Sequence, residues 1–157
     1  MNEVKKIPDG YHSITPALIV KDGEAAIEFY KKGFGAEERH RMKGPDGRIA
    51  HAELKIGDSI FMLSDEFPQM KCLSPNSIGG SSVAMYVYVE DVDAIFDKAV
   101  TAGAKVIDPV KDQFWGDRHG RLEDPSGHLW SIATHKKDLS PEEMKRAAEG
   151  AFSEMSK

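Results

Sequence analysis

The stretch LIVKDGEAAIEFYKKGFGAE, residues 18–37, has a counterpart in VYVEDVDAIFDKAVTAGAKV, residues 87–106. Each begins with an apolar strand-like run, which is followed by an aspartate, Asp22 or Asp91. A helical stretch comes next and leads to a Gly-Ala pair, which begins at Gly35 or Gly103. An aspartate carboxylate can accept the free N–H groups of a first helical turn, and glycine just past a helix end tolerates a left-handed backbone. The sequence therefore predicts one strand-helix unit made twice.

Three strand-like segments follow each predicted helix. They are EERHRMK, RIAHAELKI and SIFMLS in the first copy, and KVIDPVK, RHGRLED and HLWSIATH in the second, with glycine-containing turns between most of them. The chain is thus predicted to be a single α+β domain over residues 1–157. Its βαβββ modules span residues 11–66 and 82–135 and form an open, cup-like mixed β-sheet. The hollow of such a cup is a natural pocket for a small molecule.

A separate amphipathic helix is predicted over residues 140–155. Ser140, Pro141 and Glu143 form a capping-box start with proline at the first helical position. An apolar stripe from Met144 to Met155 follows, and it must dock on its own sheet or on a second subunit. Both alternatives stay open, and we expect a homodimer.

Composition narrows the classes of partner. The 157 residues carry a net charge of −5, and neither half has an excess of basic residues, so nucleic-acid binding is not expected. No apolar run approaches the roughly 18 residues of a membrane span. Cys72 is the single cysteine, so no internal disulfide can form and a cytoplasmic location is expected.

Alternation along the strands assigns the pocket side chains. In RIAHAELKI the apolar Ala52 and Leu54 should face the helix, which turns His51, Glu53 and Lys55 into the cup. By the same rule the second copy presents these residues inward: Tyr86, Tyr88, Arg121 and Glu123.

The pair formed by His51 and Glu53 has three interpretations. The two could bind a metal ion with His12 or His119 as a third ligand. Glu53 could be a general base whose pKa is raised by an apolar floor. Alternatively, the pair exchanges hydrogen bonds with Arg118 or Arg121 at the pocket wall, which is the interpretation we favour.

The stretch DQFWGDRHGRLEDPSGHLW, residues 112–130, is interpreted as the rim of the pocket. Phe114 and Trp115 are large aromatic residues in a polar loop and would form a lid, unless Trp115 packs on the last helix or a second subunit. Arg118 could hold an anionic group. DPSGH is a tight turn in which His128 bonds to backbone.

The chain as a whole resembles the vicinal oxygen chelate superfamily, which includes glyoxalase I, bleomycin-resistance proteins and extradiol dioxygenases. The segments that carry the resemblance are HSITPALIV, AAIEFYKKGFGAEE, DGRIAHAELKIGDSIFML, DQFWGDRHGRLEDPSGHLWSIATH and LSPEEM. They look most like the PhnB-like branch. The resemblance implies a cup of two modules, in which metal-dependent members place four His or Glu ligands. Those positions fall here on Thr15, Met62, Ala84 and Ser131, which are poor ligands for such ions, so neither a metal site nor a cofactor is expected.

We therefore expect a metal-free protein that binds a small, partly apolar or aromatic molecule. One alternative is a glyoxalase-like lyase or isomerase acting next to a carbonyl, with Glu53 as base and Arg118 or His51 steadying the enolate. The other is a divalent-metal enzyme with a site relocated to His51 and Glu53. The expected ligand-binding residues are His51, Glu53, Met62, Tyr86, Tyr88, Phe114, Trp115, Arg118, Arg121, Glu123 and Ser131.

Overall fold

The computed structural model describes residues 3–157. The first module comprises β1 (Ala17–Val20), α1 (Gly23–Phe34), β2 (Glu37–Lys43), β3 (Ile49–Ile56) and β4 (Ser59–Asp65). The second comprises β5 (Ala84–Tyr88), α3 (Val92–Ala102), β6 (Lys105–Asp112), β7 (Asp117–Glu123) and β8 (Leu129–His135). A 3-10 turn (Pro68–Met70) and the short α2 (Pro75–Ile78) lie in the linker between the modules, residues 66–83, and α4 (Pro141–Met155) follows the second module.

Each module forms its own open four-stranded sheet. The strand orders are β1-β4-β3-β2 in sheet 1 and β5-β8-β7-β6 in sheet 2. β1 runs parallel to β4, and β5 runs parallel to β8. The other pairings are antiparallel. The predicted α+β architecture of two βαβββ modules and a C-terminal helix is confirmed.

The two helices begin and end as the repeat predicts. The side chains of Asp22 and Asp91 accept hydrogen bonds of 3.0 Å from the backbone N–H groups of Ala25 and Ala94. Gly35 and Gly103 end the helices at φ 66° and 119°, a region where a side chain would be strained.

The helices of the two modules pack against each other in one core. A Cβ built on Gly33 of α1 would lie 3.2 Å from the Cα of Ala99 in α3, which explains a glycine inside a helix. Trp130 of β8 crosses between the modules and meets the ring of Phe34 at 4.7 Å. Each sheet therefore has a core face covered by its helix and, opposite it, an outer face.

Burial confirms the predicted alternation. Ala52, Leu54 and Leu122 are buried on the core faces. His51, Glu53 and Lys55 of β3, and Arg121 and Glu123 of β7, alternate with them on the outer faces and are only half-buried.

The edge strand β6 contains Pro109, which cannot donate a hydrogen bond to a neighbouring strand. Its pairing with β7 shifts register on either side of Asp108, between Val106 and Lys111. A proline in an irregular edge strand discourages further strands from adding there.

The C-terminal helix starts at the predicted capping box. The Ser140 hydroxyl accepts from the N–H of Glu143, whose carboxylate accepts from the N–H of Ser140. None of its side chains is fully buried, and Phe152 meets Phe114 at 5.8 Å. Among residues 3–157, no helix is both long and apolar enough to cross a bilayer.

Candidate ligand-binding site

A cavity of about 570 Å³ lies against the outer face of sheet 1. We call residues 3–16 the N-terminal strap, because this irregular segment supplies most of the opposite wall. The sheet contributes Glu53 and Met62, which are neighbours on β3 and β4. The strap contributes the remaining lining residues: Lys6, Ile7, Pro8, Tyr11, His12, Ser13 and Thr15. The cavity is thus mainly apolar, with a few charged and polar groups.

Glu53 is the carboxylate of this cavity. A hydrogen bond from the Tyr11 hydroxyl is the largest cause that lowers the pKa of Glu53; burial opposes it, and His51 lowers it further. The Nε2 of His51 lies 3.3 Å from the Glu53 carboxylate. The expectation of a raised pKa at Glu53 is therefore wrong, because hydrogen bonding to the charged form outweighs the apolar surroundings.

The positions at which the family's metal ligands are expected do not fit a metal ion. Thr15 and Met62 meet in the cavity of sheet 1, whereas Ala84 and Ser131 belong to sheet 2. Hydroxyl, thioether and methyl groups are poor ligands for a divalent cation of this kind. Over the described residues 3–157, no three His, Cys, Asp or Glu side chains are grouped so that they could hold a metal ion, including His51 and Glu53 with either proposed partner.

The outer face of sheet 2 carries a cluster that we call the aromatic platform: Tyr86, Tyr88, Trp115 and His119. The hydroxyls of Tyr86 and Tyr88 and the indole N–H of Trp115 all donate to Oδ2 of Asp117, at 3.3, 3.0 and 3.1 Å. The Nδ1 of His135 lies 2.8 Å from the other carboxylate oxygen. One buried carboxylate therefore fixes three aromatic side chains.

The charge of Asp117 is maintained by these contacts. Burial acts to raise the pKa of Asp117, but hydrogen bonds from His135, Tyr88 and Trp115 together outweigh it and lower that pKa. Burial, in turn, raises the pKa of Tyr86 to about 12, so its hydroxyl stays protonated and donates.

His119 is the buried histidine of the platform. Its ring stacks on Tyr86 at 5.4 Å and meets Trp115 at 5.6 Å. Within the described part of the chain, its Nε2 is buried without a hydrogen-bond partner. Burial, and then the charge of Arg121, lower the pKa of His119, so a neutral imidazole is favoured.

Arg118 and Phe114, which were predicted at the rim of the pocket, have other contacts in the structure. Arg118 points to the helix side, where Asp93 of α3 holds its guanidinium at 2.7 and 2.8 Å and Asp112 adds a third contact. Arg118 does not line the cavity of sheet 1, but it lines a separate cavity of about 550 Å³ together with Asp112, Gln113 and Lys136. Phe114, rather than Trp115, contacts the last helix.

The remaining predicted residues stay on the outer face of sheet 2. Arg121 lies opposite the buried Ser131 and bonds to Asp108 at 3.2 Å, and Glu123 lies one step further along β7.

The predicted ligand-binding residues form two groups instead of one pocket. His51, Glu53 and Met62 belong to sheet 1, and the others belong to sheet 2 or its loops. In residues 3–157, no hydrogen bond, ion pair or aromatic contact between side chains joins the first group to the second. Strand alternation identified the faces correctly, but it could not reveal that the shared helix layer separates them.

Sequence reasoning missed three buried carboxylates, Asp65, Asp117 and Asp124. Asp124 accepts from Tyr30 and Trp130 side chains at 2.6 and 2.9 Å and from the backbone N–H groups of Ser126 and His128. The DPSGH turn was correctly identified, and His128 does bond to backbone, through the carbonyl of Ile19 in the other module. The signal in the sequence was weak: Trp115 lies two residues before Asp117 and Trp130 six residues after Asp124, whereas the tyrosine donors come from distant segments.

Comparisons with known proteins agree with this geometry. The model of the glyoxalase/bleomycin resistance protein/dioxygenase superfamily matches residues 11–132. The protein Rv0887c of Mycobacterium tuberculosis is 43% identical over 138 residues, which cover 86% of this chain and 81% of that protein.

Two solved structures illustrate the likeness in fold. TioX from a Micromonospora species has a TM-score of 0.61 and 27% identity, with 82% of this chain and 100% of TioX covered. The PhnB protein from Bacillus cereus has a TM-score of 0.60 and 20% identity, with 78% and 99% covered. The family model spans both modules and the linker between them. The chain therefore belongs to the glyoxalase/bleomycin resistance protein/dioxygenase superfamily.

Proposed function

We propose that this protein binds a small, partly apolar or aromatic molecule without a metal ion, and that it belongs to the PhnB-like branch of its superfamily. The observation that carries the proposal is the cavity of about 570 Å³ on sheet 1. Pockets for small ligands commonly measure about 300–1,000 Å³ and combine apolar walls with a few polar groups. Met62, Ile7 and Pro8 supply apolar wall here, and Glu53 and Lys6 are among its polar groups.

Binding is preferred over lyase or isomerase chemistry because of the state of Glu53. A general base near neutral pH works best with a pKa close to that pH. The hydrogen bond from Tyr11 instead lowers the pKa of Glu53. That carboxylate is suited to holding a donor group and is a weak proton acceptor.

A homodimer is part of this proposal. Matching positions of the two outer faces carry opposite charges: Glu53 corresponds to Arg121, and Lys55 corresponds to Glu123, by the register of β3 with β4 and of β7 with β8. Sheet 1 of one copy is thus complementary in charge to sheet 2 of another. Such pairing would cover Tyr88, which is 62% exposed, and place the platform over the cavity. We place the protein in the cytoplasm, in keeping with its single cysteine, Cys72.

The cavity is tested with the fluorescent aromatic probe 1-anilinonaphthalene-8-sulfonate. We expect saturable binding that is unchanged by a chelator and lost in Met62→Glu, because a carboxylate would make the apolar wall polar and repel the sulfonate of the probe. Met70→Glu is the matched control, since Met70 is 69% exposed in the linker. Equal binding by both variants would contradict the assignment of the cavity, and loss on chelation would contradict a metal-free protein.

The dimer is tested by sedimentation velocity. We expect twice the monomer mass for the parent protein and the monomer mass for Tyr88→Arg, with Met70→Arg as the control. A parent protein that stays monomeric at high concentration would contradict the dimer. The cavity assignment is tested separately, by the fluorescent probe.

A further inference from the structure

The cavity on sheet 1 has opposite charges on its two walls. Lys6 lines it from the N-terminal strap, and Glu53 lines it from β3. The surfaces between them are largely apolar, with Ile7, Pro8 and Met62 among the lining residues. A molecule bound in the cavity would therefore lie next to both Lys6 and Glu53.

Within one chain, over residues 3–157, neither charge forms an ion pair with a permanently charged side chain. The nearest partners of Glu53 are the Tyr11 hydroxyl and the imidazole of His51, and neither is a lysine or arginine. Lys6 forms no ion pair with any residue from 3 to 157, whereas the adjacent Lys5 is paired with Asp9 at 2.6 Å. Because Lys5 is paired and lies outside the cavity lining, it provides a natural control.

We propose that this cavity selects a zwitterionic, amino-acid-like ligand, with its ammonium group facing Glu53, its carboxylate facing Lys6 and an apolar or aromatic body against Met62. This inference rests on the proposed small-molecule function and names the ligand class. A ligand with one charge would satisfy one wall and leave the other charge without a partner. The hydroxyls of Ser13 and Thr15 supply further hydrogen-bonding groups in the lining.

Four derivatives of phenylalanine share one side chain and differ only in whether the ammonium and the carboxylate are charged. Their affinities therefore separate the contributions of these two groups. L-phenylalanine is the zwitterion, phenylalaninamide the cation, N-acetylphenylalanine the anion and N-acetylphenylalaninamide the neutral form. Binding is measured by calorimetry on the full chain at neutral pH. We expect the zwitterion to bind about tenfold more tightly than either singly charged form, since each singly charged form leaves one wall charge without a partner.

Two substitutions should reverse the preference in opposite directions. Glu53→Gln removes the negative wall charge and should make N-acetylphenylalanine the tightest probe. Lys6→Gln removes the positive charge and should make phenylalaninamide the tightest. The double variant should bind all four within a few-fold, and Lys5→Gln should behave as the parent protein. Melting temperatures verify that every variant is folded.

The outcomes separate this inference from the proposed function. If the neutral probe binds as tightly as L-phenylalanine, or if neither substitution changes the order, the charge selection is wrong while cavity binding stands. If none of the four binds but 1-anilinonaphthalene-8-sulfonate does so in a Met62-dependent manner, the zwitterion class is wrong and the apolar cavity is retained. If no probe of any kind binds, both proposals are overturned.

Discussion

In the first module the carboxylate of Asp65 accepts 2.6 Å hydrogen bonds from the backbone N–H groups of Gly23, at the start of α1, and Ile49. At the same place in the second module, the Thr134 hydroxyl accepts the N–H of Val92 at 2.9 Å and donates to the carbonyl of Val89. In both modules a side-chain oxygen from the last strand thus accepts a hydrogen bond from the first N–H of the helix. That oxygen belongs to a carboxylate in the first module and to a hydroxyl in the second. A buried N–H requires an acceptor, but a charged or a neutral oxygen can provide it.

The outer faces differ much more. The face of sheet 1 is flanked by the chain's own strap, which forms an open cavity with it, whereas the face of sheet 2 presents the aromatic platform, with Tyr86 47% exposed. The core faces must fit the same helix layer, and the outer faces have no such common constraint. The duplicated architecture therefore leaves each outer face free to acquire its own binding chemistry.

The largest expected effect comes from removing the contact that joins the modules. Asp124→Ala should lower the free energy of unfolding by about 4 kcal/mol, because four donors, three of them buried, lose their acceptor. Urea unfolding followed by circular dichroism measures it. Asp58→Ala, in an exposed turn, is the control, and a loss no larger than that of the control would show that the two modules do not depend on this contact.

The two helix-start contacts should differ in strength. Asp65→Ala should cost about 3 kcal/mol, since two buried N–H groups lose a charged acceptor, and Thr134→Val about 1–2 kcal/mol. The same unfolding experiment ranks them. Equal losses would indicate that the difference between carboxylate and hydroxyl has no energetic consequence.

The linker contributes a stability that depends on pH. Hydrogen bonds from Ser77 and Ser74 are the main causes that lower the pKa of Glu66 to about 2. A depressed folded-state pKa stabilises the protein above the unfolded value of about 4.5, and this contribution is lost as the pH falls towards 2. The stability difference between the parent protein and Glu66→Gln should therefore shrink over that range in a series of urea titrations. A difference independent of pH would contradict the role of the Glu66 charge.

The smallest expected effect concerns the platform. Asp117, and then Asp138, raise the pKa of His135 through hydrogen bonds. Asp117→Asn should lower the His135 pKa towards its ordinary value, as followed by NMR titration, and should loosen Trp115, as followed by fluorescence anisotropy. Trp115→Phe identifies the contribution of Trp130 to the fluorescence. An unchanged His135 pKa would contradict the Asp117 contact.

The repeat, the helix ends and the strand faces could be predicted because each depends on local rules: capping, glycine conformation and alternation. The cavity depended on the path of the strap, which has no periodic pattern. The platform depended on Asp117 meeting Tyr86 and Tyr88, residues about 30 positions earlier. The pKa of Glu53 reversed direction because its hydrogen-bond partner, Tyr11, comes from that same irregular strap. Contacts between distant segments were the part that local rules could not supply.

The close approach of Gly33 to Ala99 has a consequence for how the chain holds together. Because α1 and α3 pack against each other, cleavage of the chain in the linker would give two fragments. Each fragment would expose the apolar side of its helix to water. Neither is expected to persist alone, and the two together should reassemble by complementation. We therefore expect the duplicated halves to fold and unfold as a single cooperative unit.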